Sequence, residues 1–217
     1  MNTESILTFE DVSKVYMKGG RKIKALENVS FSLKPGTLNL ISGPSGAGKT
    51  TLIYLAGLIK EPSNGKIMVK GINTNNLNDN ERANLIRDEI GFIFRRFNLL
   101  PNLNVLENVM LPMIIRDVGK AKELLEMVGI KEWDRFPRDL SFEEEQKIAL
   151  ARSLVNDPSL ILALEPTGEL DHEQTTNFIK TLHKISGITL LMTSDNKPLR
   201  KFFKRTYQLE NGKLKSI

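Results

Sequence analysis

One stretch constrains this chain more than any other: Gly43-Pro44-Ser45-Gly46-Ala47-Gly48-Lys49-Thr50, with Thr51 following. It fits the pattern G-x-x-x-x-G-K-[ST] at every fixed position. The spacing has a chemical reason. Glycines let the backbone curl so that successive amides point inward at phosphate oxygens, and the helix that follows adds its positive N-terminal end. In such a loop Lys49 reaches the outer phosphates, the Thr50 hydroxyl ligates a divalent cation, and Thr51 donates near the innermost phosphate. A glycine-rich turn alone would imply none of this, so the flanks decide. Leu38 to Ser42 is a short apolar run that reads as a strand, and Leu52, Ile53, Leu55 and Ala56 recur at helical spacing. Strand, glycine loop and helix is the context a phosphate loop needs.

Strands and helices alternate through much of the remaining chain, which predicts an α/β fold with a mostly parallel central sheet. Val29, Phe31 and Leu33 alternate with Ser30 and Ser32, the half-buried pattern of an antiparallel edge. From about residue 98 to 156 no strand pattern stands out. Val105, Leu106, Val109 and Met110 fall at helical spacing there, as do Leu124, Leu125 and Val128. This predicts a helical subdomain inserted into one domain spanning 1–217, a length that suits one sizeable core. Leu160 to Leu164 and Ile188 to Met192 read as buried strands. Between them Asp171 and Gln174 have the spacing of a capping box. Asn211-Gly212, set between Tyr207-Gln208-Leu209-Glu210 and Lys213-Leu214-Lys215, is a hairpin signal.

The chain contains no cysteine, which excludes disulfides and thiolate metal sites and fits a reducing compartment. Its first twelve residues lack the basic cluster and long apolar run of a signal peptide. No apolar run is long enough to span a bilayer, so a membrane role would come through a partner and the expected location is cytoplasmic. The net charge is +5, but the lysines are scattered, which reads as a solvated surface rather than a nucleic-acid footprint. His172 and His183, the two histidines, fall on an expected helix and read as surface residues.

Beyond the phosphate loop, several segments match one family pattern: Val12 to Tyr16, Ile90 to Phe94, Phe97 to Pro101, Leu140-Ser141, Ala149 to Ser153, and Glu165-Pro166-Thr167-Gly168 with Leu170-Asp171. Taken together they resemble the ATP-binding-cassette domains over nearly the whole chain. The likeness is closest to the branch whose ATPases power lipoprotein release and macrolide export. The resemblance implies ATP and Mg²⁺ as ligands, with Tyr16 stacking on adenine. It also implies a membrane-spanning subunit docked near the loop after residue 94 and the stretch Leu99 to Met113. A second cassette domain would face the nucleotide.

The chain departs from this pattern where the family keeps its chemistry. Relatives end the strand at 164 with an aspartate that organises Mg²⁺; here Leu164 stands there, followed by the expected glutamate, Glu165. Arg95 replaces a glutamine that senses the metal and the attacking water, and Ser194 replaces a histidine that contacts the γ-phosphate. Relatives present Leu-Ser-Gly-Gly-Gln to the facing nucleotide, whereas this chain reads Leu140-Ser141-Phe142-Glu143-Glu144-Glu145-Gln146. The segment between Arg116 and Lys122 also looks shorter than in relatives. The expectation is an ATP-binding subunit with hydrolysis impaired or absent. Glu165 remains the catalytic candidate, the Mg²⁺ site is weakened and rests on Thr50, and Arg95 pairs with the γ-phosphate or with Glu165. Two alternatives stand beside it: an active ATPase energising transmembrane export, and a soluble regulatory cassette without a membrane partner.

Overall fold

The structure is a computed structural model describing residues 5–185 and 187–217. Residues 1–4, on which part of the N-terminal reading rests, lie outside those described. The chain begins with β1 (Leu7–Lys18), β2 (Arg21–Leu33), β3 (Leu38–Ser42), α1 (Lys49–Ala56), β4 (Asn64–Val69), β5 (Ile72–Asn73), α2 (Asp79–Glu89) and β6 (Ile90–Ile93). It continues with α3 (Val105–Met110), α4 (Val118–Met127), α5 (Phe142–Leu154), β7 (Leu160–Leu164), α6 (His172–Lys184), β8 (Thr189–Ser194), β9 (Arg205–Glu210) and β10 (Lys213–Ser216). Three short 3-10 turns punctuate this order.

The strands form two sheets. β1 and β2 make an antiparallel ribbon because Gly19 and Gly20, both at positive φ, turn the chain in two residues. β4 and β5 extend it into the order β2-β1-β4-β5. The second sheet has the order β10-β9-β3-β8-β7-β6, parallel throughout except for the β9–β10 hairpin. The Asn211-Gly212 turn joins that hairpin, again with both residues at positive φ. The strand expected over 188–192 runs over Thr189–Ser194 instead. Its apolar run stops at Met192, but the ladder carries Thr193 against Leu164 and Ser194 against Ser42, and both polar residues are buried.

Both faces of the parallel sheet are covered, so its strands read as continuous apolar runs. Ile161 and Ala163 of β7 pack into one cluster with α3, α4, α5 and α6. Leu160, Leu162 and Leu164 face the other way, into a cluster with α1 and the antiparallel sheet. Between residues 98 and 156 the described structure holds α3, α4, α5 and one 3-10 turn, with no strand. Asn104 caps α3 and Ser141 caps α5, each in a reciprocal box with a glutamate three residues on; Asp171 and Gln174 do the same for α6. His172 and His183 are both exposed on α6.

Candidate functional site

Because β3, β6, β7 and β8 are parallel, their C-terminal ends meet along one edge, and the loops leaving them converge there. The loop after β3 is Gly43–Gly48, which runs directly into α1. Lys49, only 4% exposed, donates to the carbonyl oxygens of Gly43 (2.8 Å) and Pro44 (3.0 Å). A buried ammonium would be costly without such partners. Pro44, Ser45, Gly46 and Thr50 are exposed at the mouth, Ala47 is buried, and Gly48 and Thr51 are half-buried.

The loop is buttressed from the antiparallel side. Gly48 caps α1 at a φ of 108°, and a Cβ there would lie 2.4 Å from the carbonyl oxygen of Ala25. The hairpin turn also reaches the loop: Gly212 donates its N–H to Ala47 O at 3.2 Å and accepts from Glu27 N at 2.9 Å. Tyr16, half-buried on β1, pairs with Ile23 on β2, two residues before the Ala25 that presses on Gly48. Lys14 Nζ lies 5.4 Å from its ring centroid.

Glu165 leaves β7 in the left-handed region, at a φ of 47°. Its N–H donates to Thr193 Oγ1 at 3.2 Å, and the next carbonyl, Pro166 O, accepts from buried Gln146 Nε2 at 2.6 Å. Held this way, one carboxylate oxygen lies 3.2 Å from Lys49 Nζ and the other 3.5 Å from Arg95 Nη1. Arg95 also lies 3.9 Å from half-exposed Glu169. Lys49, Glu165 and Arg95 thus form one ionic chain across the loop mouth.

Leu164 contributes no oxygen. It is buried in the cluster that contains Ala47, Leu52 and Ile53. Ser194 is buried too, and its hydroxyl accepts from Asn196 N at 3.1 Å. A magnesium ion needs oxygen ligands in near-octahedral array. Here the strand end is hydrocarbon, the adjacent carboxylate faces a cation at each oxygen, and the Thr50 hydroxyl is the loop's remaining candidate. The side-chain oxygens nearest the strand end are thus the Glu165 carboxylate, paired with Lys49 and Arg95, and the Thr50 hydroxyl at the loop.

The acidic segment 143–145 is partly neutralised. Glu144 closes the capping box on Ser141 and pairs with Arg135 at 2.6 Å; chiefly that hydrogen bond lowers its carboxyl to about 2. Glu143 pairs with Lys147 at 2.7 Å, while burial raises the carboxyl of Glu145. Repulsion of a facing phosphate is therefore weaker than three bare charges would give. Phe142 turns inward onto Phe97, with ring centroids 4.8 Å apart.

Sequence reasoning missed Ala25, Gly212, Gln146 and Thr193 as supports of the site. It also missed Arg200, whose guanidinium donates to Ser42 Oγ, just before the loop, at 2.8 Å and to Gln208. Their contacts join distant parts of the chain, and nothing local signals them. Away from the loop, Ile86, Phe92, Phe94, Leu111, Pro112 and Val155 line an apolar groove of about 560 Å³.

The parallel sheet, the glycine loop and the lysine folded into it define a phosphate-loop nucleotide-binding domain. The profile described as ABC transporter matches residues 26–168. This chain belongs to the ABC transporter family, as an ATP-binding cassette. It is 36% identical to the lipoprotein-releasing system ATP-binding protein LolD of Hyphomonas neptunium, over 97% of each chain. It is 37% identical to the macrolide export ATP-binding/permease protein MacB of Bdellovibrio bacteriovorus, over 97% of this chain and 34% of that larger protein. The dimeric ADP- and phosphate-bound cassette MJ0796, from Methanocaldococcus jannaschii, superposes with a TM-score of 0.90 at 34% identity, covering 97% of each chain. No helix among the described residues is long and apolar enough to cross a membrane.

Proposed function

We propose that this chain binds ATP on the Gly43–Thr51 loop, with Tyr16 against the base, and hydrolyses it slowly or not at all. It serves as an energy-coupling or regulatory subunit of a transporter-like complex. One observation carries the reading: Glu165, the remaining candidate for activating water, has its two oxygens turned to Lys49 and Arg95, beside a strand end that is Leu164. A general base needs an oxygen free to take a proton and a partner that fixes the water. Nucleotide affinity draws on other contacts, the loop amides and Lys49, so binding survives where transition-state stabilisation is lost.

The groove beside Phe94 and Leu111 suits an apolar segment of a membrane-spanning subunit, and this would bring the chain to the membrane surface from the cytoplasm. The names of LolD and MacB, one a release-system ATP-binding protein and the other an ATP-binding/permease protein, support that partner class. A second cassette facing this one would meet the acidic start of α5, with Glu143 in the place of a glycine, so two copies of this chain would not close tightly on ATP.

The test is ATP affinity and turnover on one purified sample, with light scattering at saturating ATP. Binding without tight dimerisation and with turnover near background is the expected result. Turnover on the order of 1 s⁻¹, the low end of ordinary enzyme rates, would overturn the reading in favour of an active export ATPase.

A further inference from the structure

We propose that this site takes its nucleotide without a divalent cation, with the Arg95 guanidinium occupying the electrostatic role of the metal. The inference rests on the ATP-binding reading and specifies the ionic form of the ligand.

Three observations lead to it. First, the oxygen set is inadequate: Leu164 is hydrocarbon buried in the core cluster that also holds Ala47, and the inner carboxylate, Glu165, already faces Lys49 at 3.2 Å and Arg95 at 3.5 Å. A dication placed near Glu165 would meet the ammonium of Lys49 and the guanidinium of Arg95. Its one unpaired protein ligand would be the Thr50 hydroxyl, with the rest of the shell left to phosphate and water. Second, Arg95 is well placed for an anion. Its side chain is 54% exposed, and it reaches the same carboxylate that the phosphate-loop lysine reaches. When triphosphate oxygens compete for Lys49, the Glu165 carboxylate can stay with Arg95 or release it. A released guanidinium offers a planar pair of donors that matches phosphate oxygens.

Third, the charges add up without a metal. Relative to the aspartate and glutamine of the family pattern, Leu164 removes one negative charge and Arg95 adds one positive. That is a change of two units, the charge Mg²⁺ carries. Glu169, half-exposed and 3.9 Å from Arg95, offsets part of this at the rim. Arg200 bonds to Ser42 and Gln208 just before the loop. The site is therefore built for the more highly charged metal-free ATP, and the metal complex, with its lower net charge, gains little from it.

The experiment is calorimetric titration of the whole chain with ATP, once in excess EDTA and once in excess MgCl₂. Affinity in EDTA should be tighter than in MgCl₂, or weaker by less than about threefold. Arg95→Gln should lose about tenfold or more of the metal-free affinity, the worth of a charge-assisted pair, and less than half of that factor in MgCl₂. Arg95→Lys should retain most of the metal-free binding. Because the Arg95 side chain is largely exposed, both variants should melt with the parent. A parent that gains about threefold or more from Mg²⁺ overturns the proposal, as does an Arg95→Gln loss of equal size in both buffers. Binding that requires Mg²⁺ defeats this inference alone. No binding in either buffer defeats the ATP-binding reading with it.

Discussion

Replacing Glu165 by glutamine should tighten ATP binding in this chain. Glutamine keeps the shape of the side chain and removes its charge, so the left-handed backbone at 165 and the Thr193 contact are retained. In the structure Glu165 lies 3.2 Å from Lys49 Nζ. A phosphate oxygen bonded to the same ammonium at ~2.8 Å would come within about 6 Å of the carboxylate. At that distance the repulsion between unit charges is about 1–3 kcal/mol for effective dielectrics between protein surface and water. The carboxylate also competes with phosphate for Lys49 and Arg95, an effect of the same sign. Allowing for its 21% exposure, we expect a net gain of about 1.5 kcal/mol, roughly tenfold in affinity. Titration with a fluorescent ATP analogue at low ionic strength would measure it, since salt screens the effect. Glu169→Gln is the control: that carboxylate is 3.9 Å from Arg95 and 48% exposed, so its removal should change affinity by less than about twofold. Weaker or unchanged binding in Glu165→Gln would refute the reasoning, because it would mean that the carboxylate does not compete for the loop cations.

Further outcomes follow from the same geometry. Lys49→Ala should weaken ATP by about 3 kcal/mol, roughly a hundredfold, since it removes two or more charge-assisted contacts; equal affinity in variant and parent would remove the loop from consideration. Tyr16→Ala should cost ATP about 1–3 kcal/mol while leaving inorganic triphosphate unaffected, and parallel losses for both ligands would make Tyr16 a scaffold residue. Gly48→Ala should lower thermal stability as well as binding, because a Cβ would sit 2.4 Å from Ala25 O at a φ that side chains resist; we expect about 2 kcal/mol in unfolding experiments. Glu144 gives a pH signature. Its carboxyl is held at about 2, below the ordinary 4.5, so its stabilisation is complete above the ordinary value and lost as pH falls toward 2. The stability gap between the parent and Glu144→Gln, about 1–2 kcal/mol after allowance for 28% exposure, should shrink between about pH 5 and pH 3. A gap constant over that range would contradict the Arg135 pairing.

The phosphate loop and the elements around it were legible from the residues alone, because they depend on short-range chemistry. A lysine at a fixed offset from glycines, Asp171 with Gln174, and Asn211 with Gly212 each act within a few residues of themselves, and the structure forms each as its local pattern predicts. The long ribbon of β1 and β2 was less legible. Its residues do not alternate cleanly, and Gly19-Gly20 gains meaning only once both strands pair. How the departures from the family pattern act on one another depends instead on contacts between distant parts of the chain. Leu164 could be read as a missing ligand, but its burial in the cluster with Ala47 and Ile53 follows from which face of β7 turns toward α1. Arg95 could be read as a lost glutamine, but its pairing with Glu165 depends on β6 and β7 ending side by side. Phe142 and Glu143 stand in place of the glycines of the family pattern, yet the fold turns the ring onto Phe97 and pairs the carboxylate with Lys147. Charge and volume are written in the sequence, whereas the distance and burial that give them an energy exist only after the chain has folded.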